Sequence, residues 1–306
     1  MRKKTAQKNR RQAYLFMLIS TLCWGAALII VKPAFAFTTP FRFLLYRYLI
    51  AGVFFSLPYL YKNRLKLKKN HLIKIILIEL FGTVFSLSIL YLGLEKTSAI
   101  EASLISSSGP LFITLAGIIL LRERQERWEW LGLFLSLLGS ILIITTSNGP
   151  QTEMSSNGNM LIIFYNIMNA LYCVLAKKYY HSINTTLTAA VSFVVGLIGF
   201  LLINLFISQG HLGLLLTQIG QDWSYPAVQV ASIYMATFGS IIGAIFYIKG
   251  QDKIEVSEAS VFTYLQPLIY LPLGMLLLHE TVYTQQIVGL LIILIGVIVA
   301  EKRTHC

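Results

Sequence analysis

Arg47 and Glu79 are ionisable residues set well inside long apolar runs, where a charge needs a partner, water or neutralisation. Two readings are open. Either each is held in a structural ion pair, with the other or with a helix end, or Glu79 is a proton-coupling carboxylate or the counter-charge of a cationic substrate group. Glu79 shares a helical face with Gly82 and Ser86. Three further polar faces stand out. Ser103, Ser107 and Thr114 recur at helical spacing beside Ser106 and Ser108; Thr263, Gln266 and Tyr270 follow at intervals of three and four; Asn166, Asn169 and Cys173 share a side with Tyr172 close by. Trp24 and Tyr234 offer aromatic walls. Residues of these types serve as helix–helix contacts or converge on a polar and aromatic central cavity. For Asn169 and Gln266 the cavity gains weight, because an unpaired amide is costly in hydrocarbon.

Pro110 and Pro267 fall near the middle of two of the apolar runs, and Pro272 follows the second. Each removes a backbone donor and frees a carbonyl one turn back, giving a packing kink or a loosened backbone that lines a cavity. Catalytic constellations are scarce. His279-Glu280 begins like a zinc-protease motif, but position 283 is Tyr and the second ligand is missing. The sequence has no Gly-x-Ser-x-Gly and no phosphate-binding Gly-Lys loop. Cys23 and Cys173 lie in apolar runs and Cys306 ends the chain, which gives neither a disulfide framework nor zinc spacing. No enzyme activity, metal or cofactor is expected.

Composition says what must position these residues. Of 306 residues, 56% are apolar and 12% charged, against roughly 45–50% and about 25% in soluble domains. A bilayer-crossing helix takes about 20 apolar residues. Runs and their breaks give ten spans: 14–31, 41–61, 72–93, 99–120, 129–146, 159–177, 187–207, 228–248, 257–278 and 284–300. Lipid satisfies no exposed backbone, so each must be helical. No connecting segment is long enough to bury a core of its own.

The formal charge of +12 would suit a nucleic-acid partner only as a basic face on a soluble surface. Its distribution argues otherwise. With the N-terminus in the cytoplasm, all of the 25 basic residues except Lys32, Arg42, Arg47 and Lys96 fall in inner segments, and 147–158 and 208–227 hold none. This is the bias of cytoplasmic loops. Both termini are placed inside and no nucleic acid is expected. Ala34-Phe35-Ala36 imitates a signal-peptide cleavage site, but Lys32 interrupts the approach and loss of the first span would break an internal symmetry.

That symmetry is a repeat. One constant, ungapped offset places Gly82 on Gly239, Gly93 on Gly250, Lys96 on Lys253 and Glu101-Ala102-Ser103 on Glu258-Ala259-Ser260. It also places Pro110-Leu111 on Pro267-Leu268, Gly117 on Gly274, Glu123 on Glu280, Gly132 on Gly289 and Gly139 on Gly296. Five spans per half is an odd number, so the second half enters the bilayer with the opposite sense. Halves related in this way can open a shared midplane site to either side in turn. Glu123 and Glu280 each close a span and precede the next, where a carboxylate can face the positive end of the following helix.

The segment Leu120-Leu121-Arg122-Glu123 with Gly132 and Gly139, its second copy Leu277-Leu278-His279-Glu280 with Gly289 and Gly296, and Trp24, Lys32 and Arg47 resemble the ten-helix EamA-type branch of the drug/metabolite transporter superfamily. The resemblance implies two five-helix inverted repeats that move small organic solutes, often amino acids or related metabolites and often outward. The expected fold is therefore all-α: a cytoplasmic basic tail (1–13), a first repeat (14–146), an outer linker (147–158), a second repeat (159–300) and a cytoplasmic tail (301–306). The expected function is secondary transport of a metabolite across the cell membrane, with importers, exchangers, a lipid flippase and a passive pore as the alternatives. Expected partners are a small-molecule substrate, the bilayer, and a proton or counter-substrate, with the chain a monomer or homodimer.

Overall fold

Each apolar run is helical in the computed structural model, which describes residues 2–63, 69–123, 126–145, 153–180, 183–279 and 284–300. Among these residues seven helices are long and apolar enough to cross a membrane: α1 (Arg10–Ala36), α2 (Pro40–Lys62), α3 (His71–Lys96), α4 (Ala99–Leu121), α6 (Ser156–Tyr180), α7 (Thr185–Ile207) and α9 (Pro226–Gln251). Between them lie α5 (Arg127–Thr145) and a short α8 (Leu212–Asp222), and the chain continues through α10 (Val256–Val261), α11 (Pro267–Leu277) and α12 (Thr284–Ala300). Residues 147–152, the first half of the expected outer linker, the C-terminal tail and Glu280 lie outside the described residues.

Helix ends follow from local chemistry. Ser98 caps α4 by accepting from the Glu101 N–H at 3.1 Å, and Asn184 caps α7 by accepting from Thr186 and Leu187. Pro40 and Pro226 stand in the first turns of α2 and α9, where no donor is lost. Pro110 and Pro267 do the same inside their runs. The first helical stretch of α4 stops at Ser106 and restarts at Gly109, and the ninth run passes from α10 through a 3₁₀ turn, Phe262–Leu265, before α11 restarts at Pro267. Pro272 differs from the expected break: α11 runs through it without interruption.

Several positions matched by the repeat share backbone geometry, although the π stretch Gly117–Leu121 falls on the plain α-helical end of α11. Arg122 and His279, which fall on each other, both take the left-handed conformation, at φ 57° and 53°. The π-helical stretches Leu80–Ser86 and Met235–Ile242 contain the matched Gly82 and Gly239. Packing is reciprocal as well. A Cβ on Gly139 would lie 2.5 Å from the Gly289 carbonyl and one on Gly296 would lie 2.7 Å from the Gly132 carbonyl, so α5 and α12 cross antiparallel through their matched glycines. Likewise α3 packs on α6 while α9 packs on α1, and the first part of α4 meets α11 while its second part meets α10.

The buried core joins α2, α3, α7 and α9, with Phe43, Tyr46, Tyr91 and Phe200 almost fully enclosed. Tyr48 stacks on Phe200 and Phe43 on Tyr91. The region 208–227, between the seventh and eighth expected spans, carries α8. Asp222 at its end accepts from Arg42 and Tyr46, each at 2.7 Å, and from Thr38, tying α8 to the start of α2.

Candidate functional site

Eight helical runs enclose a cavity of about 230 Å³; among the described residues α5 and α12 contribute nothing to its wall. Of the residues expected to line such a site, Trp24, Asn166, Asn169, Tyr172, Thr263 and Gln266 do so, together with Arg47 and Pro110. Ser86, Ser103, Ser107, Tyr234 and Tyr270 do not. Ser103 and Ser107 donate back to the carbonyls of Ala99 and Ser103 along their own helix, and Ser107 lies 3.0 Å from the Tyr270 hydroxyl, so this polar face closes on itself. Tyr234 donates to the Cys23 carbonyl at 2.8 Å, and Ser86 is buried away from the cavity.

The helix breaks and the wide turns build the wall. Asn166 of α6 donates to the Ile105 carbonyl at 2.9 Å and to Ser108 at 3.0 Å, meeting groups loosened where α4 stops before Pro110. Trp24 of α1 donates to the Gly239 carbonyl at 2.8 Å in the π stretch of α9. Tyr172 of α6 covers Gly82 in the π stretch of α3 so closely that a Cβ there would lie 2.0 Å from its ring. Each aromatic thus sits on the matched glycine of the other half of the chain. By contrast, the amides of Asn169 and Gln266, which also line the cavity, make no hydrogen bond among the described residues.

Arg47 and Glu79 do not pair. Arg47 donates from Nε to Ser240 at 2.7 Å and from Nη1 to Tyr91 at 3.2 Å, and its guanidinium lies 5.2 Å from the Tyr48 ring centre. Glu79 is fully buried behind the wall and accepts from four hydroxyls: Tyr172 and Tyr180 on Oε1, at 3.1 and 2.8 Å, and Ser192, at 2.7 Å, and Thr83 on Oε2. Thr83, Tyr172 and Ser192 also line the cavity, so one layer of hydroxyls separates the carboxylate from it.

Sequence reading missed Tyr48, Thr83, Tyr91, Tyr165, Ser192 and Tyr247 in the wall. Thr83, four residues after Glu79, was open to discovery by helical spacing; the others depend on which helices meet. It also missed two cationic caps. Lys32 donates to the carbonyls of Leu94 and Glu95 at the end of α3, and Lys177 to those of Gln251 and Ile254 at the end of α9. Leu94 and Gln251 are matched positions, and each lysine neutralises the negative end of a helix. Glu123 was expected to serve the helix that follows it. Its Oε1 accepts from the Val256 N–H at 3.0 Å, at the start of α10, because the chain reversal after α4 brings it beside the ninth run.

Known proteins place this architecture. The chain is 26% identical over 294 residues to an uncharacterized transporter of Archaeoglobus fulgidus, spanning 95% of this chain and 99% of that one. It is 25% identical over 295 residues to the uncharacterized transporter YyaM of Bacillus subtilis, spanning 94% and 93%. A WAT1-related chloroplastic protein of Arabidopsis thaliana is 26% identical over 282 residues, 90% of this chain and 66% of that one. A solved crystal structure superposes with a TM-score of 0.72 at 15% identity, covering 94% of this chain and 96% of that one, which shows a shared fold. The sequence matches the EamA-like transporter family over residues 11–145 and 156–301, and the chain belongs to that family of membrane transporters.

Proposed function

We propose that this protein is a secondary transporter with ten transmembrane helices in two inverted five-helix repeats and both termini in the cytoplasm. It moves a small organic metabolite, an amino acid or a derivative of one, outward across the cell membrane by alternating access. The observation that carries this reading is the cavity: a polar and aromatic site walled by helices of both halves, with Asn169 and Gln266 in its wall and their amides unbonded among the described residues. Its volume of about 230 Å³ lies below the roughly 300–1,000 Å³ of drug-sized sites and suits a small solute.

The repeat supports the mechanism. The matched Arg122 and His279 take the same left-handed backbone, and matched glycines of α5 and α12 touch reciprocally, as across an isologous two-fold axis. Two halves so related have equivalent conformations available, and exchanging them turns the opening from one face to the other. Glu79 is the group placed to couple a proton to that exchange, since the hydroxyls that hold it belong to the cavity wall. In this scheme, Thr83, Tyr172 and Ser192 report the protonation of Glu79 to the site, because a protonated carboxyl must donate where it had accepted.

Cells lacking the gene should accumulate the substrate inside relative to parental cells, and purified protein in liposomes should show counterflow of that compound. Saturable, gradient-sensitive flux is the expected result. Flux that rises linearly with concentration would mean a pore and end the carrier reading.

A further inference from the structure

We infer that Arg47 is the residue that selects the substrate, and that what it selects is a single carboxylate group. The inference rests on the transporter reading and gives its site a chemical class. Arg47 is 7% exposed and is the one charged side chain among the described residues of the cavity wall. Its hydrogen bonds go to neutral hydroxyls, on Ser240 and Tyr91, and its Nη2 amino group bonds to none of the described residues. No carboxylate among those residues lies within 4.0 Å of it. Glu79, the buried carboxylate whose hydroxyl partners share the wall, is committed to four hydroxyls and stands behind it.

A guanidinium cannot shed its proton in a protein. Withdrawn from water without a counter-ion, it pays a desolvation penalty that hydroxyls and one ring face offset in part. The fold keeps this cation facing the space that solute enters, with its planar fork partly free. An anion that arrives with the solute completes the charge balance and accepts from that fork. The single positive charge sets the class. A phosphate monoester carries about −1.5 to −2 near neutral pH and would bring a second negative charge with no cation to meet it, whereas a carboxylate neutralises Arg47 alone. Asn169 and Gln266 then have the rest of the solute to read.

The test uses the full purified chain in detergent, in buffer free of carboxylate and phosphate, with thermal unfolding as the measure of binding. The probes are matched pairs, benzoate with benzamide and L-phenylalanine with L-phenylalaninamide, and chloride as the inorganic control. At least one acid should bind tenfold or more tightly than its amide. R47Q should bring that ratio to within twofold, and K74Q, altered at an exposed lysine, should keep it. Equal binding of acid and amide, chloride matching the acids, no binding by either acid, or a preference that survives in R47Q would overturn the inference. If R47Q does not fold, the acid–amide comparison on the unaltered chain decides. An acid that binds through Arg47 but is never carried in liposomes would leave this assignment standing and remove the transporter reading.

Discussion

Gly139 of α5 faces the backbone carbonyl of Gly289 on α12 with no room for a side chain: a Cβ at 139 would sit 2.5 Å from that oxygen and 2.8 Å from Ile293. The matched contact, Gly296 against Gly132, is as tight. Without a hydrophobic force between helices in lipid, such close approach is what holds a pair together. Overpacking a joint of this kind costs about 1–3 kcal/mol. Gly139→Leu and Gly296→Leu should each lower the midpoint of thermal unfolding in detergent by several degrees. Gly213→Ala, which has open space around it, should leave it unchanged.

Glu79 holds four hydroxyls and faces no cation among the described residues. Replacing it by Gln swaps an acceptor for a donor aimed at donors, a mismatch of about 1–3 kcal/mol, and removes the proton site. In Glu79→Gln, pH-gradient-driven transport should fall at least tenfold while counterflow at equal pH persists. Full gradient-driven transport in that variant would rule out proton coupling at Glu79. Tyr180→Phe, which takes away one donor outside the wall, should leave both activities measurable.

How much of this was legible beforehand depends on the range of the interaction. The helical runs were, because an apolar stretch in lipid has one backbone solution. So were the interruptions near Pro110 and Pro267, which are local. The cage of Glu79 was not, because Tyr172, Tyr180 and Ser192 reach it from α6 and α7 and nothing near Glu79 announces them. The polar face of Ser103 and Ser107 misled for a different reason: a hydroxyl in a helix can bond to its own preceding turn and present nothing outward. Helix α8 could have been read from Leu215, Ile219 and Asp222, spaced four and three apart on one face, had the lack of basic residues not made the segment look like plain loop.

Asp222 gathers Arg42, Thr38 and Tyr46 and thereby straps α8 to α2. The carboxylate is 5% exposed and the arginine 17%, so solvent screens the pair little. Hydrogen bonds to a buried charge contribute about 1.5–3 kcal/mol. Asp222→Asn should loosen α8: a cysteine placed at Thr217, which is exposed, should react with a water-soluble maleimide at the same rate, while one at Leu215, 1% exposed, should react at least tenfold faster than in the parent. An unchanged rate at 215 would show that the strap is redundant.

The topology is open to a count of crossings. Seven helices meet the length and hydropathy needed to span a bilayer; if those alone crossed, Lys62 at the end of α2 would follow two crossings and Asp252 just after α9 would follow seven, which puts them on opposite faces. In the ten-helix arrangement α5 crosses too, Asp252 follows eight crossings, and the two positions share a face. Both are exposed, so cysteines there, in a background lacking Cys23, Cys173 and Cys306, can be labelled in intact cells. The expected outcome is that neither reacts with an impermeant reagent until the membrane is opened, while a cysteine at Thr217 reacts at once. Labelling of 62 and 252 from opposite faces would leave α5 outside the bilayer's span, break the odd number of crossings per half, and with it remove the inversion on which alternating access depends.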